Sequence, residues 1–166
     1  TAVCCTVALG MRVPDRARAV LIKQLGSSQT PIRLYAALAL GWIANPRSTQ
    51  VLKHRFQEER DPEVRAAIIR SLERHADAAL LTKALADTSP AVRTAGCLLA
   101  VHAEPQLAVK ELDRRLIRES DLGVITVGLA TRFVVTGSPL PQQSVVRQSG
   151  QASRVLRVRL WRDLDL

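Results

Sequence analysis

The sequence predicts an all-α fold, an α-solenoid in which antiparallel helix pairs stack as a superhelix, and three observations predict it. The phrase Asp61-Pro62-Glu63-Val64-Arg65 recurs upstream as Thr30-Pro31-Ile32-Arg33 and downstream as Ser89-Pro90-Ala91-Val92-Arg93. The recurrences keep a period near 31: Leu9, Leu40 and Leu72 are 31 and 32 apart, and Val64, Val92 and Val124 are 28 and 32 apart. That period suits two short helices per unit, each unit burying its apolar face only against its neighbours. The composition agrees, because 47% of residues are hydrophobic but only 3% are aromatic. Ala, Leu, Val and Ile must fill the core, which favours closely packed helices over an aromatic-rich sandwich or barrel.

The elements follow in order. The triplet Ala8-Leu9-Gly10 returns as Ala39-Leu40-Gly41, which sets Thr1 opposite Ile32 and implies that the chain begins inside a repeat of a longer array. Pro14 suits a first helical position and Asp15 the positive end of a helix, so a helix is expected over Asp15–Leu25 with Ala17, Leu21 and Leu25 on one face. Thr30 can cap the next helix, Pro31–Ala44, whose apolar residues Ile32, Leu34, Tyr35, Leu38, Leu40 and Ile43 suit burial on two sides. Asn45-Pro46 breaks the chain before Arg47–Glu59. Asp61-Pro62 then opens the pair Pro62–His75 and Ala76–Ala86, and Ser89-Pro90 opens Pro90–Ala103 and Pro105–Arg118. Asp121–Val135 reads as one more first helix, with Val124 in the place of Val64 and Val92. Every second helix carries a Leu-x-x-x-Leu/Phe pair: Leu21/Leu25, Leu52/Phe56, Leu81/Leu85 and Leu112/Leu116.

The array thus covers 1–135. Residues 136–154 read as a linker, with breaks at Gly137-Ser138-Pro139 and Gln148-Ser149-Gly150. Residues 155–166 form a tail segment. As a helix it aligns Leu156, Leu160 and Leu164, and as a strand it alternates Leu156, Val158 and Leu160 with Arg157 and Arg159. A cap on the last repeat or a docking element is the expected role.

No apolar run approaches the roughly 18 residues of a membrane span, and Thr1-Ala2-Val3-Cys4-Cys5 lacks the basic start of a signal peptide. Cys4, Cys5 and Cys97 show no metal-ligand spacing and suit a reducing compartment, which makes the cytoplasm the expected location. The formal charge is +9. Residues 1–136 hold 19 Lys/Arg against 13 Asp/Glu, and residues 137–166 hold five against two, so the positive charge runs along the whole chain. It favours an anionic partner, although Arg is also a good helix former and surface residue.

The Asp-Pro-x-Val-Arg phrase, an Ala-rich apolar helix after it and a second amphipathic helix together resemble HEAT repeats. The short period looks closer to the bilin-lyase-type HEAT-like repeats than to the longer eukaryotic ones. The resemblance runs from Thr1 to about Val135. It departs at Thr30 and Ser89, where aspartate is expected, and at Leu122 and Ile125, where proline and arginine are expected, so the last unit reads as an atypical terminal one. The resemblance implies a scaffold whose second helices line a concave contact face.

The repeated set Pro31, Arg33, Asp61, Pro62, Val64, Arg65, Pro90, Val92 and Arg93 is read as structural punctuation. An anion-binding ladder of Arg33, Arg65 and Arg93 is the rival reading, but spacing that follows the repeat itself favours bracing, with Asp61 accepting from Arg65 or from an arginine of a neighbouring unit. The partner-binding candidates are Arg16, Lys23, Lys53, Arg55, Lys83, Lys110, Arg114 and Arg118 on the second helices, with Trp161 in the tail. Arg18, Arg47, His54 and Arg115 share that layer with Asp15, Glu58, Glu59, Asp77, Glu111, Asp113 and Glu119, so the face is basic but mixed. A phosphate-tracking groove would carry fewer acids and stacking aromatics.

His54, His75 and His102 fall in separate repeats, with His75 and His102 suited to the ends of first helices, so no metal site is expected. Trp42 is expected to pack, and Cys5 and Cys97 to serve as small core residues. The motifs of nucleophilic, zinc and phosphate chemistry are missing. The expected function is therefore a non-enzymatic scaffold that binds a protein of acidic or mixed surface and needs no cofactor. Nucleic-acid binding through the same face is the alternative. A bilin-lyase-like enzyme rests on the resemblance alone.

Overall fold

The computed structural model describes residues 14–43 and 45–137. Among the described residues eight α-helices follow one another: α1 Pro14–Gln24, α2 Thr30–Ile43, α3 Pro46–Glu58, α4 Pro62–Ser71, α5 Ala78–Leu85, α6 Pro90–Leu99, α7 Pro105–Leu116 and α8 Leu122–Thr136. Single 3-10 turns, Glu73–His75 and Ala100–His102, extend α4 and α6. The described residues contain no strand. The expectations for Thr1–Gly10, Cys4, Cys5, the side chain of Asp15, the linker from Ser138 onward and the tail 155–166 with Trp161 lie outside the described residues, whereas Thr136, expected to open the linker, is the last residue of α8.

Proline and short polar side chains set the helix starts. Pro46, Pro62, Pro90 and Pro105 each stand in the first turn, where no backbone N–H is needed. The Asp61 carboxylate accepts from the Glu63 and Val64 amides, Asp77 from Leu80, and Asp121 from Val124. Asn45 and Glu104 cap α3 and α7 in the same way. One expectation is corrected here. Thr30 lies inside α2, and its hydroxyl donates to Asp61 at 3.4 Å instead of capping its own helix. Ser89 makes no side-chain cap bond, and Asp87 accepts the Ser89 amide instead. At the far end Gly137 adopts φ +66°, the left-handed conformation that closes α8 through its N–H to the Phe133 carbonyl.

The helices form two layers. The first helices α2, α4, α6 and α8 stack in that order through extended contact, and the second helices α1, α3, α5 and α7 touch one another far more sparingly. α1, α3, α5 and α7 each pack on the first helix that follows. Small residues let the first layer close up: Ala36, Ala37, Ala66, Ala67 and Ala95 are all buried. At Gly41 the approach is closest. A Cβ there would stand 2.6 Å from Ser71 Cβ and 2.8 Å from its Cα, so α2 and α4 meet at that point backbone to backbone. The Ser71 hydroxyl lies 2.9 Å from the Ala37 carbonyl and 2.8 Å from that of Ala67 in its own helix.

Between the layers runs one continuous aliphatic core, which includes Leu21, Leu40, Leu52, Ile68, Leu72, Leu81, Leu99 and Leu112. All four Leu-x-x-x-Leu/Phe pairs point into it; Leu116 is only partly covered. Each fully buried aliphatic side chain contributes roughly 1.5–3 kcal/mol. The stack therefore rests on many similar increments and on no single anchor.

Candidate binding surface

The repeated arginines come first, because their place in the repeat makes them candidates for an anion ladder. Arg33 donates through Nη1 to the Ser27 and Ser28 carbonyls, six and five residues before it. Arg65 does the same to Glu59 and Arg60, and Arg93 to Asp87 and Thr88. The other edge of each guanidinium makes a paired contact with a carboxylate one unit further on. Arg33 meets Glu59 at 3.0 and 3.1 Å, Arg65 meets Asp87 at 3.0 and 2.8 Å, and Arg93 meets Glu119 at 2.7 and 2.8 Å. Every arginine thus staples the loop before its own helix to the loop before the next, with the planar fork that arginine alone offers.

The carboxylates serve the loops as well. Glu59 accepts the Arg60 and Asp61 amides and the guanidinium of Arg55, and Glu119 accepts the Ser120 and Asp121 amides and that of Arg115. Their side chains are 2% and 1% exposed, depths at which an unpaired charge would be costly. Burial alone would push both carboxyls up. Hydrogen bonds from Arg33, the Asp61 amide and Arg55 overcome it at Glu59, and those from Arg93 and the Asp121 and Ser120 amides at Glu119, so both fall to about 2. The arginines are accordingly braces. The expected Asp61–Arg65 contact is replaced by Arg65–Asp87, because Asp61 is occupied at the start of α4.

Sequence reasoning missed Glu59, Asp87 and Glu119 as the partners. A signal for them is present: each stands two residues before a cap position, in Glu59-x-Asp61, Asp87-x-Ser89 and Glu119-x-Asp121.

The second-helix candidates divide into two groups. Lys53 and Arg55 are committed internally, Lys53 to Asp77 at 2.5 Å and Arg55 to Glu59 at 2.8 Å. The hydrogen bond from Lys53, with the cap amide of Leu80, holds the Asp77 carboxyl below its ordinary value. Arg16, Lys23, Lys83, Lys110, Arg114 and Arg118 are exposed, as is Arg47. Arg114 only grazes Glu111, at 3.8 Å, and is 68% exposed.

The acids that make this layer look mixed in the sequence are largely turned inward or paired. Glu59 and Glu119 hold the arginine staples, the Glu111 side chain is 12% exposed, and Asp113 binds Arg132 of α8 at 2.6 Å. Glu58 is the exception; it is exposed and 3.4 Å from His54. The exposed side of the layer is thus more basic than its composition.

The remaining candidates fall into place. His102 approaches Glu73 of the neighbouring unit at 3.9 Å, and His75 is exposed at the end of its 3-10 turn. No cluster of three or more His, Cys, Asp or Glu able to hold a metal occurs among the described residues. Cys97 is buried as expected. Burial pushes its thiol up to about 12, and the Glu119 charge adds to the effect. Trp42 corrects an expectation: it does not pack, and is 75% exposed at the end of α2.

No helix among the described residues is long and apolar enough to cross a membrane. No curated protein matches the chain. Residues 4–73 match the family model described as HEAT repeats. With that match, the alternating layers of short antiparallel helices and the arginine repeated at α2, α4 and α6, the chain is an all-α solenoid whose residues 4–73 are similar to HEAT repeats.

Proposed function

We propose that the chain is a non-enzymatic interaction module that holds an acidic segment or surface of another protein along the exposed side of its second helices. HEAT repeats generally mediate protein–protein contact, and the resemblance makes this side the concave one. One observation carries the choice of partner: Arg16, Lys23, Arg47, Lys83, Lys110, Arg114 and Arg118 are exposed, while Glu59, Glu111, Asp113 and Glu119 of the same layer are buried or paired. Such a surface attracts carboxylates over a long range and holds them through several modest contacts. The layer exposes no aromatic side chain among the described residues, which favours protein over single-stranded nucleic acid. The cysteine usage of the sequence fits a cytoplasmic setting.

The test is a salt titration with labelled poly-glutamate, duplex DNA and RNA. Binding of the acidic polypeptide, with Arg114→Ala weakening it only partially, supports the reading. Tight binding of DNA or RNA that falls steeply with salt, with no binding of poly-glutamate, would replace it with the nucleic-acid reading.

A further inference from the structure

Each first helix lends one flank to its successor. Counted from Ile32, Val64, Val92 and Val124, the residues Ala37, Ile69, Cys97 and Leu129 occupy one place in the repeat. Ala37 lies under α4, its carbonyl 2.9 Å from Ser71 Oγ, and Cys97 lies under α8, its Sγ 4.0 Å from the Val124 carbonyl. Ala37, Ile69 and Cys97 are at most 1% exposed. The place one residue after each counting point holds Arg33, Arg65 and Arg93, which staple forward, and then Ile125.

α8 therefore ends the staple and keeps the flank. Leu122, Ile125, Leu129 and Phe133 follow one another at intervals of three, four and four residues, with Leu122 51% and Phe133 44% exposed. The only charged residue of α8, Arg132, turns back to Asp113. The flank continues an interface made three times among the described residues, but in purely apolar form, so its occupant needs an apolar stripe and no carboxylate at the place of Glu59 or Glu119.

Such a stripe stands in the same chain. Leu156, Leu160 and Leu164 repeat the four-residue spacing of Leu21/Leu25, Leu52/Phe56, Leu81/Leu85 and Leu112/Leu116. These residues lie outside the described part, and among the described residues α8 is the first helix that no second helix follows. From Gly137 to Val155 the 18 intervening steps can span up to roughly 60 Å, against the roughly 22 Å length of α8. We propose that Val155–Leu166 docks as a helix on the flank of α8, setting Leu156, Leu160 and Leu164 against Ile125, Leu129 and Phe133, and so closes the stack as a displaced second helix.

Hydrogen–deuterium exchange on the full chain, read by mass spectrometry beside sedimentation velocity, tests this. A monomer in which residues 155–166 are protected is expected. Leu156→Asp/Leu160→Asp should abolish that protection and speed exchange in α8 by about tenfold or more, leaving α4 unchanged. Leu129→Asp should free the tail in the same way. A tail that exchanges at unprotected rates, an α8 indifferent to the tail substitutions, or a dimer that Leu129→Asp returns to monomer would each overturn the proposal, the last by giving the flank to a second copy.

Discussion

Arg93 and Glu119 lie 26 residues apart in sequence and meet through two hydrogen bonds of 2.7 and 2.8 Å, with side chains 8% and 1% exposed. The pair joins the loop that starts α6 to the loop that starts α8, and the same relationship holds for Arg33 with Glu59 and Arg65 with Asp87. Breaking it leaves a buried carboxylate that only Arg115 and two amides still hold. Arg93→Ala should therefore destabilise the fold by about 3 kcal/mol or more, with the loss greatest in the last unit. Urea unfolding gives the value. Arg93→Met/Glu119→Leu should cost clearly less, because it removes both charges together.

The same carboxylates set the acid limit. Glu59 and Glu119 have native values near 2, below the 4.5 of a free glutamate. A depressed carboxylate value adds stability that is fully present above 4.5 and is lost as the pH falls toward 2. Each group contributes up to about 3 kcal/mol. Thermal unfolding should show a melting temperature flat from neutrality to about pH 5 and falling below it, and Glu59→Gln should flatten part of that fall.

Gly41 tests the closeness of the first layer. Gly41→Ala sets a Cβ 2.6 Å from Ser71 Cβ and 2.8 Å from its Cα, a clash that a side-chain rotation cannot relieve. A loss of roughly 1–3 kcal/mol is expected in chemical denaturation, despite the better helix propensity of alanine. Gly123→Ala, whose Cβ would meet only the capping Asp121 oxygen at 3.2 Å and no backbone, should cost less.

Cys97 should be inert in the native state. Its thiol is buried and pushed up to about 12, so alkylation by iodoacetamide at pH 8 should wait for unfolding and report on the α6–α8 contact. Mapping of labelled peptides with and without urea checks it.

The layers, the proline-marked helix starts and the aliphatic core were legible because periodicity and helix-start chemistry are local. The staple partners were harder to find. Arg33 reaches 26 residues forward and Arg65 only 22, because α3 has 13 residues and α5 has eight. A fixed offset would have missed one of them, although the carboxylate two residues before each cap marks all three. Trp42 misled because its helix is so apolar. Its equivalents, ten residues on from Val64, Val92 and Val124, are Arg74, His102 and Val134, and all are exposed. That place lies at an outer edge in every unit. The basic surface was obscured for a different reason: counting charges cannot tell Glu59, held inside by two arginines, from Glu58, one residue away and exposed.

The central claim is that two populations of cations do two jobs, the repeated arginines bracing the stack and the exposed second-helix cations meeting the partner. It is tested most directly by measuring poly-glutamate affinity and melting temperature together for Lys83→Ala/Lys110→Ala/Arg114→Ala and for Arg65→Ala. The triple variant should lose about tenfold or more in affinity while its melting temperature stays within a few degrees of the parent. Arg65→Ala should melt markedly lower and, below its transition, bind as the parent does. Unchanged affinity in the triple variant, or lost affinity in a still-folded Arg65→Ala, would contradict the claim.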